Sequence, residues 1–147
     1  MNPPTHAPLE VVILAAGKGT RMFSDLPKVL HPLAGRPMLE HVAITAQALA
    51  PHALHIVYGY GGEQVPQALG HLGAIWALQA EQKGTGHAVQ QALPGVGGDA
   101  VVLVLYGDVP LTRVSTLQPL VHAARHNQLA VLTMTLGNLA ALGQDNI

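Results

Sequence analysis

Short aliphatic runs alternate along this chain with longer stretches in which apolar residues recur every three or four positions. The runs at Val11–Ala15, His55–Tyr58, Ile75–Leu78, Val101–Tyr106 and Leu129–Leu136, each bounded by Gly, Pro or polar residues, predict strands. Between them, Met38–Ala50 places Leu39, Val42, Ala43, Ala46 and Leu49 at helical spacing and stops at Pro51. Glu63–Leu69, Gly86–Leu93 and a segment ending near Asn127 predict further helices. Pro119 sits where a helix capped by Ser115 would need backbone donors, so this last helix is expected to begin near Gln118 or to bend there.

Strand–helix alternation predicts an α/β domain with right-handed crossovers, a mainly parallel sheet and helices on both faces. In such a sheet the ligand loops gather outside the carboxyl ends of the strands. With 147 residues and a mass of 15.3 kDa, the chain is one domain, large enough to bury roughly 70% of its unfolded surface. Residues 1–8 are expected to be a flexible start, 9–136 a nucleotide-binding unit, and 137–147 a divergent tail.

Val11–Leu30, VVILAAGKGTRMFSDLPKVL, joins a buried strand to a glycine-bearing loop that carries Lys18, Arg21 and Lys28. The six apolar residues Val11–Ala16 suit a parallel strand covered on both faces, and Gly17-Lys18-Gly19 lets backbone amides approach an anion closely. Four of the seven Lys and Arg residues (Lys18, Arg21, Lys28 and Arg36) fall just after that strand, more concentrated than an ordinary solvated loop would need. Nucleoside triphosphate is the natural ligand class. The P-loop spacing is absent, and Met22 stands at the third glycine position of a dinucleotide fingerprint, so neither of those sites is expected.

Net charge of −1 provides no broad basic face, so binding to a nucleic acid polymer is not expected. The N-terminus lacks a basic start and apolar core, and the longest apolar run, Ala100–Tyr106, is far short of the roughly 18 residues of a membrane span. No membrane partner is expected, and the cytoplasm is the default compartment. The chain has no cysteine, which removes disulfides and thiolate metal sites. Of its nine histidines, His52 and His55 are closely spaced, without the rest of a zinc motif. His87 reads as a capping or packing group on its helix.

Three ordered segments carry a family resemblance. Leu14-Ala15-Ala16-Gly17-Lys18-Gly19-Thr20-Arg21-Met22 with Pro27-Lys28-Val29-Leu30, then Leu78–Ala88 (LQAEQKGTGHA), then Leu105–Leu111 (LYGDVPL) resemble the signature of sugar-phosphate nucleotidyltransferases. Within these the match is sharpest to the uridyltransferase half of bacterial bifunctional N-acetylglucosamine-1-phosphate uridyltransferases/glucosamine-1-phosphate acetyltransferases. It runs from about Val11 to Leu136.

The resemblance implies a Rossmann-like fold of the nucleotide-diphospho-sugar transferase type and a Mg²⁺-dependent transfer of UMP from UTP to N-acetylglucosamine-1-phosphate. UDP-N-acetylglucosamine and pyrophosphate would be the products, feeding cell-wall and envelope polysaccharide synthesis. No covalent enzyme intermediate is needed; the protein must align two polyanions and spread the charge that develops. Arg21 and Lys28 would contact the triphosphate and stabilise the transition state, while Leu14, Ala15, Ala16 and Gly17 supply backbone contacts. Gln79, whose amide can donate and accept together, would match the O4 and N3–H edge of uracil, with Gly84 and Thr85 beside it. Gly84 also opens a helix, so its amides could alternatively hold phosphate. Tyr106 either fills the sheet or, with Gly107, borders the ribose and sugar pocket. Asp108, which in isolation would read as a turn residue, becomes the expected Mg²⁺ ligand. Lys18 is the weaker candidate among the cations.

After the fifth predicted strand the family continues into a glycine-rich loop, sugar ligands and a second metal-binding Asn. This chain instead reads Gly137-Asn138-Leu139-Ala140-Ala141-Leu142-Gly143 and stops at Ile147. The expected domain is therefore C-terminally incomplete. The simplest account is a fragment of a longer enzyme, with a short natural protein as the alternative. Its sheet would expose an edge where homo-oligomer formation could occur. Two other functions stay open: a related transferase using dTTP, GTP or CTP, and a non-catalytic nucleotide-binding module.

Overall fold

The computed structural model describes residues 7–17, 25–59 and 61–133. Its central strand, β1 (Leu9–Ala15), is buried along its whole length, as expected for an unbroken apolar run flanked on both edges. A small antiparallel hairpin, β2 (Pro32–Leu33) and β3 (Arg36–Pro37), leads into α1 (Met38–Gln47). There follow β4 (Ala53–Gly59), α2 (Gln64–Leu69), β5 (Ile75–Gln79), α3 (Thr85–Ala92), β6 (Val101–Tyr106) and α4 (Val114–Arg125).

The main sheet has the order β5-β4-β1-β6 and all its pairings are parallel. The chain builds outward from β1 through β4 to β5, then returns to place β6 on the other side of β1. That reversal opens a crevice at the carboxyl ends of β1 and β6, where open α/β sheets bind ligands.

The two-residue alternation of β1 divides the core into two layers. Val11, Ile13 and Ala15 pack with Leu39, Val42, Ala43 and Ala46 of α1, Val65 and Leu69 of α2, and Leu117 and Val121 of α4. Val12, Leu14 and Ala16 pack with Val57 and with Ala88 and Ala92 of α3. Helices thus cover both faces, with α3 alone on its side among the described residues.

Two expectations require correction. Residues 129–133 form no strand, and Leu129 is 95% exposed; residues 134–136 lie outside the described residues. A strand exists through its ladder partners, and among the described residues β6 pairs with β1 alone. The segment 128–133 instead lines an apolar groove with β6 and α4. The second correction concerns α4, which begins at Val114 and runs through Pro119 rather than beginning near Gln118. Leu117 and Val121 bury against the α1 layer, and that packing offsets the single ladder bond the proline removes.

Candidate functional site

Three loops meet at the carboxyl end of the sheet. The first leaves β1 at Ala15, the second joins β5 to α3, and the third follows β6. Leu14, Ala15, Ala16, Gly17, Lys28, Gln79, Gly84, Thr85, Tyr106 and Asp108 line one crevice of about 440 Å³, together with Val29, Gln82 and Ala88. That volume suits a small-molecule ligand. Gly107 stands behind the wall, its amide donating to the Leu14 carbonyl at 2.9 Å. Arg21, and with it Lys18, lies outside the described residues.

Close backbone approach holds the first loop in place. A Cβ on Gly59 would fall 2.7 Å from the Ala16 carbonyl oxygen, and one on Gly107 would fall 3.2 Å from that of Leu14. At Gly59 only glycine lets the end of β4 lie so near the end of β1, while at Gly107 a side chain would crowd the Leu14 carbonyl. The Ala16 carbonyl also accepts a hydrogen bond from the Gln82 side chain, which ties the second loop to the first. Gln82 stood within the LQAEQKGTGHA segment, the signal that could have placed it here; no periodicity or charge singled it out.

Lys28 opens a short 3-10 turn anchored by the buried Val29 and Leu30. Its Nζ donates to Asp108 Oδ2 at 2.8 Å. Both side chains are partly exposed, at 41% and 36%, so each remains able to exchange its partner for a charged ligand. Asp108 is held by the turn after β6, where the Val109 amide bonds to the Tyr106 carbonyl. Tyr106 is 52% exposed and lines both the crevice and the apolar groove beside β6 and α4.

Gln79, at the end of β5, is only 3% exposed. Its Nε2 lies 3.2 Å from the Gly84 carbonyl oxygen and 3.0 Å from His87 Nδ1. A carbonyl only accepts, so the amide nitrogen must be the atom turned toward it. Both amide hydrogens are then spent inside the protein. The expectation that Gln79 donates and accepts together is corrected here: Oε1 alone is left for a ligand. Every fully buried side-chain nitrogen or oxygen among the described residues has a partner, and Oε1 has none among them, so it reaches the open space of the crevice.

Gly84 takes the N-cap position of α3 with φ +92°, a conformation that favours glycine. Gly84, Thr85 and Ala88, at the start of that helix, line the crevice, and a helix N-terminus is suited to an anion. Among the described residues no three His, Cys, Asp or Glu side chains gather to hold a metal, and no helix is long and apolar enough to cross a membrane.

At the amino end of the sheet, remote from the crevice, sits a buried polar pair that the sequence did not announce. His55 Nε2 donates to Glu10 Oε2 at 2.7 Å, and the Gly97 amide donates to Glu10 Oε1 at 3.0 Å. Burial alone would raise the Glu10 carboxyl, but those hydrogen bonds and the attraction of His55 and His52 outweigh it and hold it below its ordinary value.

Known proteins resemble this chain in sequence and in fold. The chain is 57% identical to the bifunctional protein GlmU of Thiobacillus denitrificans over 139 residues, 95% of this chain and 30% of that protein. It is 58% identical to the bifunctional protein GlmU of Xanthomonas euvesicatoria over 138 residues, again 30% of the relative. The chain thus spans about 30% of the length of these curated relatives. Among solved structures, Rv0371c from Mycobacterium tuberculosis superposes with a TM-score of 0.73 at 22% identity, covering 83% of this chain and 63% of that one. A nucleotidyl transferase from Methanothermobacter gives 0.69 at 22% identity, covering 78% and 57%. Both confirm the α/β, Rossmann-like fold. Residues 11–140 match the MobA-like NTP transferase domain, and the chain belongs to that family.

Proposed function

We propose that this chain binds UTP in the crevice beyond β1, β5 and β6 and transfers its uridylyl group to N-acetylglucosamine-1-phosphate. A sugar-phosphate oxygen attacks the α-phosphorus, the bond to the β-phosphate bridge breaks, and pyrophosphate leaves. The observation that carries the reading is the convergence of Leu14–Gly17, Lys28, Gln79, Gly84, Thr85, Tyr106 and Asp108 on one crevice. The identity of 57% to a bifunctional protein GlmU supports the choice of substrates.

In this reading the amides after β1 and at the start of α3 take up negative charge that would otherwise repel the incoming sugar phosphate. Lys28 neutralises the triphosphate, and Arg21 of the same loop joins it. Gln79 Oε1 accepts from uracil N3–H, beside Gly84 and Thr85. Tyr106 borders the ribose, and Gly107 supports it from behind through its hydrogen bond to the Leu14 carbonyl.

Asp108 fits Mg²⁺: a single, partly exposed carboxylate fixed after β6 matches an ion that takes one or two carboxylates plus phosphate oxygens and waters. When bound, Mg²⁺ screens the charge of the phosphates and orients them. The reaction consumes a nucleoside triphosphate, which the cytoplasm supplies.

The test is pyrophosphate release by this chain from UTP, Mg²⁺ and N-acetylglucosamine-1-phosphate, with Arg21→Ala and Lys28→Ala alongside. Release that requires all three components and falls in both variants is expected. UTP binding without release would make the chain a nucleotide-binding module, and preference for dTTP, GTP or CTP would assign it to a related transferase.

A further inference from the structure

We propose that His87 is a positioning residue for base selection, locking the Gln79 amide so that it presents an acceptor and never a donor to the crevice. This rests on the reading of the crevice as a pyrimidine nucleotide site and deepens it.

The Gln79 side chain is nine-tenths buried, and its orientation is set from two sides. The Gly84 carbonyl, 3.2 Å from Nε2, requires a donor. The same Nε2 stands 3.0 Å from His87 Nδ1. A nitrogen that donates to Gly84 also presents its second hydrogen, so Nδ1 must accept. The His87 ring is therefore the neutral tautomer with its proton on Nε2. Gln91 Nε2 donates to the His87 carbonyl one turn back at 3.1 Å. It also lies 3.3 Å from His87 Nε2; a neutral ring accepts at one nitrogen only, and the closer approach of Gln79, 3.0 Å against 3.3 Å, assigns that role to Nδ1.

Placement makes the contact specific. His87 is in the first turns of α3, whose N-cap is Gly84 itself. The helix thus supplies both groups that hold the amide, one from its backbone and one from its side chain. Turning the amide over would set the oxygen against the Gly84 carbonyl, losing that hydrogen bond outright, and would keep the contact with His87 only if the ring moved its proton from Nε2 to Nδ1.

The consequence is a polarity filter. Uracil offers a hydrogen at N3, which Oε1 accepts; cytosine offers a lone pair there, which would face Oε1 unpaired. Rejection of an unpaired buried group is among the stronger sources of discrimination available to a site. Without the His87 acceptor, the amide is held by Gly84 alone and its inversion becomes easier.

The experiment measures UTP and CTP dissociation constants with Mg²⁺ for this chain and for His87→Phe and His87→Asn. Phe keeps the bulk and removes the acceptor; Asn keeps an acceptor oxygen near the position of Nδ1. His87→Phe should lower the UTP preference by about three- to tenfold, the worth of one neutral hydrogen bond, and His87→Asn should restore most of it. A folded His87→Phe chain with undiminished preference overturns the proposal. Binding of neither nucleotide by the unsubstituted chain would overturn the pyrimidine reading of the crevice. Nitrogen-15 imidazole spectra of the unsubstituted chain give an independent check: a proton on Nε2 of His87 is expected, and one on Nδ1 contradicts the lock.

Discussion

Lys28 and Asp108 are 80 positions apart in sequence, yet Lys28 Nζ donates to Asp108 Oδ2 at 2.8 Å across the mouth of the crevice. Each has an obvious second partner in the proposed complex: triphosphate for Lys28 and Mg²⁺ for Asp108. The pair keeps the two charges in position, and because both are partly exposed it contributes little to stability. Lys28→Ala should weaken UTP binding about ten- to hundredfold, the worth of a charged hydrogen bond, with little change in melting temperature. Asp108→Asn should abolish the Mg²⁺ dependence of binding. Calorimetry with and without the ion reads both effects.

Gly59 lets β4 pass the loop that leaves β1, since an added Cβ would lie 2.7 Å from the Ala16 carbonyl oxygen. Neither partner is a flexible side chain, so backbone must move. Gly59→Ala should cost about 1–3 kcal/mol of stability and weaken UTP binding as well. Denaturant unfolding and nucleotide titration on the same sample would detect the coupled loss.

Gln82 clasps the Ala16 carbonyl from the second loop. Removing it frees a backbone acceptor at the crevice without touching the core. Gln82→Ala should weaken UTP binding by about three- to tenfold while the unfolding midpoint stays nearly constant. A large shift in midpoint would instead place Gln82 in the folding core.

Glu10 gives the chain an acid-sensitive element far from the crevice. Its carboxyl is lowered in the folded state from an ordinary value of 4.5, so its stabilisation is fully present above that value. The contribution is lost as pH falls through the lower, folded value. Glu10→Gln should destabilise the chain by about 1–3 kcal/mol at neutral pH, and the difference should narrow below pH 4.5. Chemical unfolding across that range measures it. UTP affinity at neutral pH should be unaffected in the folded variant.

The sheet and the convergence of the loops were legible in the sequence because both follow from local patterns. Val11–Ala16 is too uniformly apolar for a one-sided strand, and the glycine loop after it marks a carboxyl end. Strand pairing was less legible. Residues 129–133 have strand composition, but composition does not supply a ladder partner.

Side-chain partners over long separations were the least accessible. Glu10 and His55 meet because β1 and β4 pair with Glu10 opposite Ala53, a register that no periodicity states. Gln79 was recognisable as an amide in the right loop; which of its atoms remained free depended on Gly84 and His87, and hence on how α3 begins. Pro119 shows the opposite balance, with the burial of Leu117 and Val121 overriding a clear local signal.

The first measurement to make is titration of this chain with UTP, GTP and dTTP, with and without Mg²⁺. Selective binding of UTP that strengthens with Mg²⁺ is the expected result. Equal binding of all three nucleotides, or no binding by a demonstrably folded sample, would contradict the assignment of the crevice as a uridine triphosphate site.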